Sequence, residues 1–242
     1  MHLHLPKPLH GWRAFAGEVG IIVLGVLIAL GAEQFVEAAR DRAQVRQSEE
    51  SLKDNFERFV TFTAELDGYA PCIESRATEV RMLIDRSAAA HRLPRVGAIP
   101  QLTPHPWQID TYSAMVATQA ITHVSHAQAI LYSRIAMSAI DLYDDGKVEW
   151  SDWGVLASLS GGPRDYGDAE EAQDRMVLAR AVHQDSVMRV IADNTVDRIR
   201  RTGLLDSHEF DIAVDEGRRS AAAIPMCRPI SIGAAQPQSQ AI

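Results

Sequence analysis

The sequence has few aromatic residues, only two cysteines and no excess of basic side chains. Phenylalanine, tryptophan and tyrosine make up 6% of the 242 residues, and this scarcity disfavours sheets, in which aromatic residues are enriched. Lysine and arginine total 24 against 32 aspartate and glutamate, so the net charge is −8. Because phosphate binding needs a basic face, we expect no nucleic-acid partner.

The chain also lacks the short motifs of common catalytic sites. It contains no HExxH, no GxSxG and no glycine-rich phosphate loop, and Gly161-Gly162 precedes a proline rather than a helix. His123 and His126 have no accompanying glutamate motif, and we expect them to straddle a helix start. We therefore assign no catalytic residue, cofactor or metal site, and the sequence favours a protein without enzymatic activity.

One long uncharged run lies near the N-terminus. Residues 19–32 carry no charge, no proline and no side chain that can hydrogen-bond. As a helix this run spans only about 21 Å, but residues 14–36 span about 34 Å, enough for a hydrocarbon core of about 30 Å. We interpret residues 14–36 as a transmembrane anchor in a lipid bilayer, preceded by a basic tail, residues 1–13.

Two other interpretations of this run stay open. A cleaved signal peptide would use Ala29-Leu30-Gly31 as its small-residue site, although Glu18 directly before the apolar core is unusual there. A buried helix of a soluble domain also accommodates a run of this length. Lysine and arginine are nearly balanced across the run, but the short tail and the two cysteines favour a cytoplasmic N-terminus and a domain outside the cytoplasm.

The N-terminal region resembles a known group of sequences. The segment Gly17-Glu-Val-Gly-Ile-Ile-Val-Leu-Gly-Val-Leu-Ile-Ala-Leu30 is similar to the anchor of uncharacterised single-pass membrane proteins of Gram-negative bacteria. Ala70-Pro-Cys-Ile73 and Met226-Cys-Arg228 look like that group's two cysteine motifs. The resemblance implies an inner-membrane anchor followed by a periplasmic helical domain of unknown function, and it implies no activity.

Cys72 and Cys227 are the only cysteines. They are too far apart for a CxxC motif and too few for a four-cysteine zinc site. They form either one long-range disulfide in an oxidising compartment or two unrelated thiols. The expected periplasmic location favours a structural disulfide between Cys72 and Cys227.

We predict an all-α fold. The transmembrane helix continues into a long juxtamembrane helix and then a bundle of about five or six helices, with residues 37–221 as the domain and 222–242 as a C-terminal tail. Leu52, Phe56 and Phe59 recur at helical spacing, which suits either a weak coiled coil between copies or packing within one domain.

Helix-breaking and capping residues divide this domain. Turns are predicted at residues 68–71, 144–146 and 161–163. Gly203 is predicted to end the longest downstream helix. The predicted N-terminal caps are Asp110, Ser125, Asp168 and Asp206, the last three with a glutamine or glutamate three residues later.

The sharpest local signal is the segment from Asp141 to Asp152, which is partly similar to a calcium-binding EF-hand loop. Tyr143 stands at the third position, where a ligand is required, and Asp152 replaces the bidentate glutamate at the twelfth. The positions that match the EF-hand pattern are Asp141, Asp145, Gly146, Val148 and Glu149. With two principal ligands altered, an Asp-Gly turn between two helices is the favoured interpretation.

These features favour a membrane-anchored helical interaction or sensing module of unknown ligand. The alternative is a small membrane-bound enzyme or metal-binding protein centred on Asp141 to Asp152.

Small residues on the anchor predict self-association. Gly25 with Ala29, and Ala16 with Gly20, form small-xxx-small pairs, which permit close approach of two membrane helices. Together with the juxtamembrane seam, they predict a homo-oligomer. Chemical cross-linking in native membranes is expected to trap dimers, and finding only monomer contradicts the prediction.

Overall fold

The computed structural model describes residues 12–101, 105–107 and 109–233, and it shows an all-α protein with a long N-terminal helix. Most of the predicted basic tail and the end of the C-terminal tail lie outside the described residues. The α-helices are α1 Trp12–Ala90, α2 Asp110–Ala117, α3 His126–Leu156, α4 Asp168–Thr202 and α5 Ser207–Ala221. Single 3-10 turns occur at Ala120–His123, Ala157–Leu159 and Pro225–Cys227, and two short strands, β1 Arg92–Leu93 and β2 Arg164–Asp165, pair antiparallel.

The chain divides into two compact units between Gln47 and Ser48. The residues of the first unit that the structure describes form the N-terminal part of α1. Among the described helices, α1 alone has a stretch long and apolar enough to cross a membrane, and none of that stretch is buried. An apolar surface exposed to this extent favours membrane anchoring over the core helix of a soluble domain.

The second unit, which we call the helical domain, is a bundle of four long helical segments. The part of α1 from Ser48 onward runs parallel to α5, since Lys53 pairs with Glu209 near the start of α5 and Gly68 meets Ala221 at its end. Helix α4 runs antiparallel to α1, with Arg175 bonded to Asp85 at 2.6 Å near the end of α1. Helices α3 and α4 also pack antiparallel, since Arg180 early in α4 bonds to Asp152 late in α3, and Arg198 late in α4 bonds to Ser138 earlier in α3.

The apolar core is built on one buried face of α1. Its side chains recur every three or four residues, the spacing that keeps them on one side of a helix. They are among the least exposed in the domain: Leu52, Phe56, Phe59, Val60, Leu66, Tyr69, Ile73, Ala77, Val80, Leu83 and Ile84. Helices α3, α4 and α5 pack around α1 and cover this face.

A long connection returns the chain from the end of α1 to the start of α3. It is held to α1 by aromatic contacts: the Trp107 ring lies 4.9 Å from that of Phe59, and His105 stacks on Phe62 at 4.7 Å. Trp107 is fully buried. The connection therefore forms part of the core, which explains how so long a segment stays against the bundle.

The predicted turn at residues 68–71 is wrong, because α1 continues through Pro71. A proline within a helix removes one hydrogen bond and costs about 3 kcal/mol or more. The carbonyl that loses its partner belongs to Asp67, a residue on the surface of the domain. Tyr69, Ala70 and Ile73 are buried on both sides of the proline, and their packing outweighs the local preference for a turn.

The predicted break at residues 144–146 is also wrong, because α3 runs through it. Gly146 is buried against α4, where a Cβ would lie 3.4 Å from the Met188 methyl. Lys147 pairs with Asp144 at 2.6 Å, one helical turn away. Packing against α4 and this local ion pair hold the segment in the helix.

The predicted helix ends are mostly confirmed. Capping boxes form at Ser125 and at Asp206, and Gly203 ends α4 in the left-handed conformation at φ 70°. Two predicted caps are wrong by one residue: Asp110 and Asp168 are the first residues of their helices, whose N-caps are Ile109 and Gly167. Their carboxylates lie in the first turn, where negative charge favours a helix.

The C-terminal segment is tied to α1 beside the two cysteines. Cys72 and Cys227 are joined in a disulfide with their Cα atoms 4.7 Å apart. Arg76, one turn further along α1, is buried and donates hydrogen bonds to the carbonyls of Met226, at 3.0 Å, and Arg228. The sequence predicted a polar tail here. Its described residues instead pack against the domain.

Helices α1 and α5 approach closely at a glycine. A Cβ on Gly217 would meet the Thr61 carbonyl oxygen and lie 2.8 Å from the Ala64 Cβ. We expect Gly217→Ala to lower the free energy of unfolding by about 1 to 3 kcal/mol, because the Thr61 carbonyl is backbone and has little freedom to move.

Gly154→Ala is the matched control, since Gly154 is also helical and its Cβ would meet nothing nearer than the Gln101 amide at 3.5 Å. It is expected to leave stability unchanged or raise it by up to about 1 kcal/mol. Thermal unfolding of the full chain in detergent measures both variants. Equal effects would contradict the close packing of α1 and α5.

Candidate functional site

The structure does not form the loop on which the calcium hypothesis depends. The whole segment from Asp141 to Asp152 lies inside α3. Its carboxylates diverge: Asp141 is exposed to solvent, whereas Asp152 is buried and held by Arg180, with Arg180 Nε donating to Asp152 Oδ2 at 2.7 Å. Because an EF-hand loop must wrap around its ion, a continuous helix cannot supply this site.

The predicted histidine pair is likewise divided between two elements. His123 ends a 3-10 turn and His126 opens α3. Over the described ranges, no group of three or more histidine, cysteine, aspartate or glutamate side chains is arranged to hold a metal ion. The expectation that the two histidines straddle a helix start is confirmed.

Among the buried acidic side chains of the domain, Glu149 and Asp185 come from different helices and act on each other electrostatically. Glu149 of α3 and Asp185 of α4 are exposed by only 4% and 1%. Trp153 Nε1 donates to Glu149 Oε1 at 3.3 Å, and Arg189 Nη2 lies 2.9 Å from Asp185 Oδ2. Asp185 Oδ1 has no hydrogen-bond partner among the described residues.

The two buried carboxyl groups differ in how the surrounding side chains offset the cost of burying a negative charge. Burial, and after it the negative charge of Asp185, raise the pKa of Glu149 to about 8, although Trp153 and Arg189 act in the opposite direction. Burial also raises the pKa of Asp185, but Arg189 opposes this effect. Glu149 therefore carries a proton at neutral pH, and the pair avoids placing two adjacent negative charges in the core.

A cleft of about 540 Å³ opens between α1, α4 and α5. This volume is in the range of small-molecule sites, which is about 300 to 1,000 Å³. The lining combines apolar and oppositely charged side chains: Val60, Thr63, Ala64, Asp67, Gly68, Asp193, Val196, Asp197, Arg200, Phe210, Val214 and Arg218.

Lining residues at the same level of the three helices form layers along the cleft. Since α5 runs parallel to α1 and α4 antiparallel, Asp67 lies at the same end of the cleft as Asp193 and Arg218. The middle layer is mostly apolar, with Ala64, Val196 and Val214. The other end contains Val60, Phe210 and Arg200, whose guanidinium carbon lies 4.2 Å from the centroid of the Phe210 ring.

The two ends of the cleft have different electrostatics. Burial and then the negative charge of Asp193 raise the pKa of Asp67, whereas Arg189 and Arg218 lower it. This end therefore combines two neighbouring carboxylates with the guanidinium group of Arg218, and the carboxylates favour a bound cationic group. At the other end Arg200 presents a guanidinium group, which favours an anion, although Asp197 lies 3.8 Å away and offsets part of its charge.

Sequence reasoning assigned no role to the residues of this cleft. The periodicity was visible, because Asp193, Asp197 and Arg200 recur at spacings of four and three residues on a predicted helix. Nothing in the sequence indicates that Asp67 lies beside Asp193, since that depends on how α1 and α4 pack. Arg76 was also missed, although its position four residues after Cys72 places both on one helix face.

No protein-family model matches the chain, and neither the curated proteins nor the solved structures contain a significant match.

Burial of Glu149 makes the stability of the domain dependent on pH. Below pH 4.5, its ordinary pKa, the carboxyl is protonated in both the folded and the unfolded chain. Between pH 4.5 and about 8 the unfolded chain releases the proton first, so this group's contribution to stability decreases as the pH rises. We expect Glu149→Gln, which keeps an acceptor for Trp153, to unfold at a higher temperature than the wild type above pH 8 and at a similar temperature near pH 4.

Asp141→Asn, on the exposed side of the same helix, is the control. Unfolding temperatures of the three full-length proteins from pH 4 to 9 provide the measurement. Parallel wild-type and Glu149→Gln profiles would contradict the protonation of Glu149.

Proposed function

We propose that this protein is a single-pass protein of the bacterial inner membrane, anchored by residues 14–36. Its N-terminus is cytoplasmic, and the chain from residue 37 onward, which includes the helical domain, is periplasmic. Three observations support the proposal: the exposed apolar stretch of α1, the Cys72–Cys227 disulfide, which suits an oxidising compartment, and the resemblance of the anchor segment to single-pass proteins of Gram-negative bacteria.

We infer that the domain is an interaction or sensing module. The observation that carries this inference is the cleft between α1, α4 and α5, which combines an apolar middle with charged groups of both signs. Sites for small molecules use polar groups to orient the ligand on an apolar surface, and this cleft has both kinds of group, with a larger share of charged side chains.

The position of the cleft on α1 supports a sensing role. The helix that supplies Val60, Thr63 and Asp67 to the cleft is the same helix that begins with the proposed anchor. A ligand that contacts α1, α4 and α5 together stabilises their packing by mass action, because it binds only the folded arrangement. Ligand binding would thereby act directly on the helix that enters the membrane.

Labelling of the two cysteines tests the topology. Cys227 is exposed and Cys72 half-buried, and both are in the disulfide. In intact cells with a permeable outer membrane, a membrane-impermeant maleimide is expected to label the protein only after an impermeant reductant is added. Cells lysed under the same conditions provide the control. Labelling that requires lysis, and occurs without reduction, would contradict both the disulfide and the periplasmic location.

A further inference from the structure

We infer that the cleft between α1, α4 and α5 binds an elongated amphoteric molecule, with a cationic group between Asp67 and Asp193 and an anionic group at Arg200. This inference rests on the proposal that the domain is a sensing module and adds to it the chemical class of the ligand.

The acidic end of the cleft is suited to an amine. Asp67 and Asp193 come from antiparallel helices, and their charges repel each other. An ammonium group placed between them relieves this repulsion and donates charge-assisted hydrogen bonds to the two carboxylates. Arg218 also lines this end and lowers the pKa of Asp67, but its side chain is largely exposed and lies 3.9 Å from the Asp215 carboxylate, which offsets part of its charge.

The opposite end is suited to a carboxylate. The Arg200 side chain is held against the Phe210 ring, which limits the conformations that the guanidinium group can adopt. A guanidinium group held in this way is pre-organised for bidentate binding of a carboxylate. Asp197, at 3.8 Å, is too distant for a close bidentate pair and leaves Arg200 donors for a ligand.

The distance between the two ends sets the length of the ligand. Asp193 and Arg200 are seven residues apart on α4, which corresponds to about 10 Å along the helix axis. The wall between them is mostly apolar, with Ala64, Val196 and Val214. A ligand with an amine and a carboxylate separated by a short methylene chain matches all three layers.

A matched set of probes tests this assignment: 6-aminohexanoate, 1-aminohexane, which lacks the carboxylate, and hexanoate, which lacks the amine. Titration calorimetry would use the full chain in lipid nanodiscs, with empty nanodiscs subtracted. We expect 6-aminohexanoate to bind about tenfold more tightly than either single-charge probe, because each charged hydrogen bond contributes about 1.5 kcal/mol or more.

Substitutions at two positions separate the ends of the cleft. Asp193→Asn is expected to weaken 6-aminohexanoate and 1-aminohexane about tenfold and to leave hexanoate unchanged. Arg200→Gln is expected to weaken 6-aminohexanoate and hexanoate by a similar factor, and Arg200→Lys, which keeps the charge, to recover part of the loss. Glu216→Gln, exposed on α5 and outside the cleft lining, is the control.

The outcomes distinguish this inference from the proposed function. Absence of 6-aminohexanoate binding, or equal affinity for all three probes, would overturn the amphoteric ligand. Binding of 1-aminohexane with the same affinity as 6-aminohexanoate would also overturn it, since the site would then recognise a cation alone. None of these results alters the cysteine labelling that tests the membrane topology.

Discussion

The helical domain depends on the burial of one face of α1 between Leu52 and Ile84. Full burial of a large apolar side chain contributes about 1.5 to 3 kcal/mol, and this face contains many of them. Their combined effect exceeds the cost of about 3 kcal/mol for a proline within a helix, so α1 continues through Pro71. The other long helices then pack around α1, and the connection before α3 is held to it by Trp107.

Charged groups inside this bundle are accommodated in different ways. The buried guanidinium group of Arg76 donates hydrogen bonds to the carbonyls of Met226 and Arg228 and lies 3.6 Å from the Glu79 carboxylate, and these contacts hold the C-terminal segment beside the disulfide. Asp185 is compensated by Arg189 on the next turn of α4. Glu149 accepts a hydrogen bond from Trp153, and its pKa, raised to about 8 mainly by burial, leaves it protonated at neutral pH. Each solution reduces the cost of an unpaired charge in a medium of low polarity.

The same packing produces the candidate site. Close approach of α5 at Gly217 and Gly68 brings Phe210, Val214 and Arg218 alongside α1. The opposite directions of α1 and α4 then place Asp67 beside Asp193 and leave Arg200 at the far end. The separation of charge along the cleft thus follows from the directions of the three helices as much as from their amino-acid composition. Both the proposed sensing role and the inferred class of ligand depend on this separation.

The sequence by itself determined the all-α class, the apolar N-terminal stretch, the start of α3 at Ser125, the start of α5 at Asp206 and the end of α4 at Gly203. These features depend on local periodicity and on hydrogen bonds between residues close in the chain. The tertiary structure decided that residues 68–71 and 144–146 are helical, that Arg76 is buried, and that Asp67 lies beside Asp193. These features depend on contacts between residues that are distant in sequence. The energies of those contacts exceed the local preference for a turn, and no local sequence pattern encodes them.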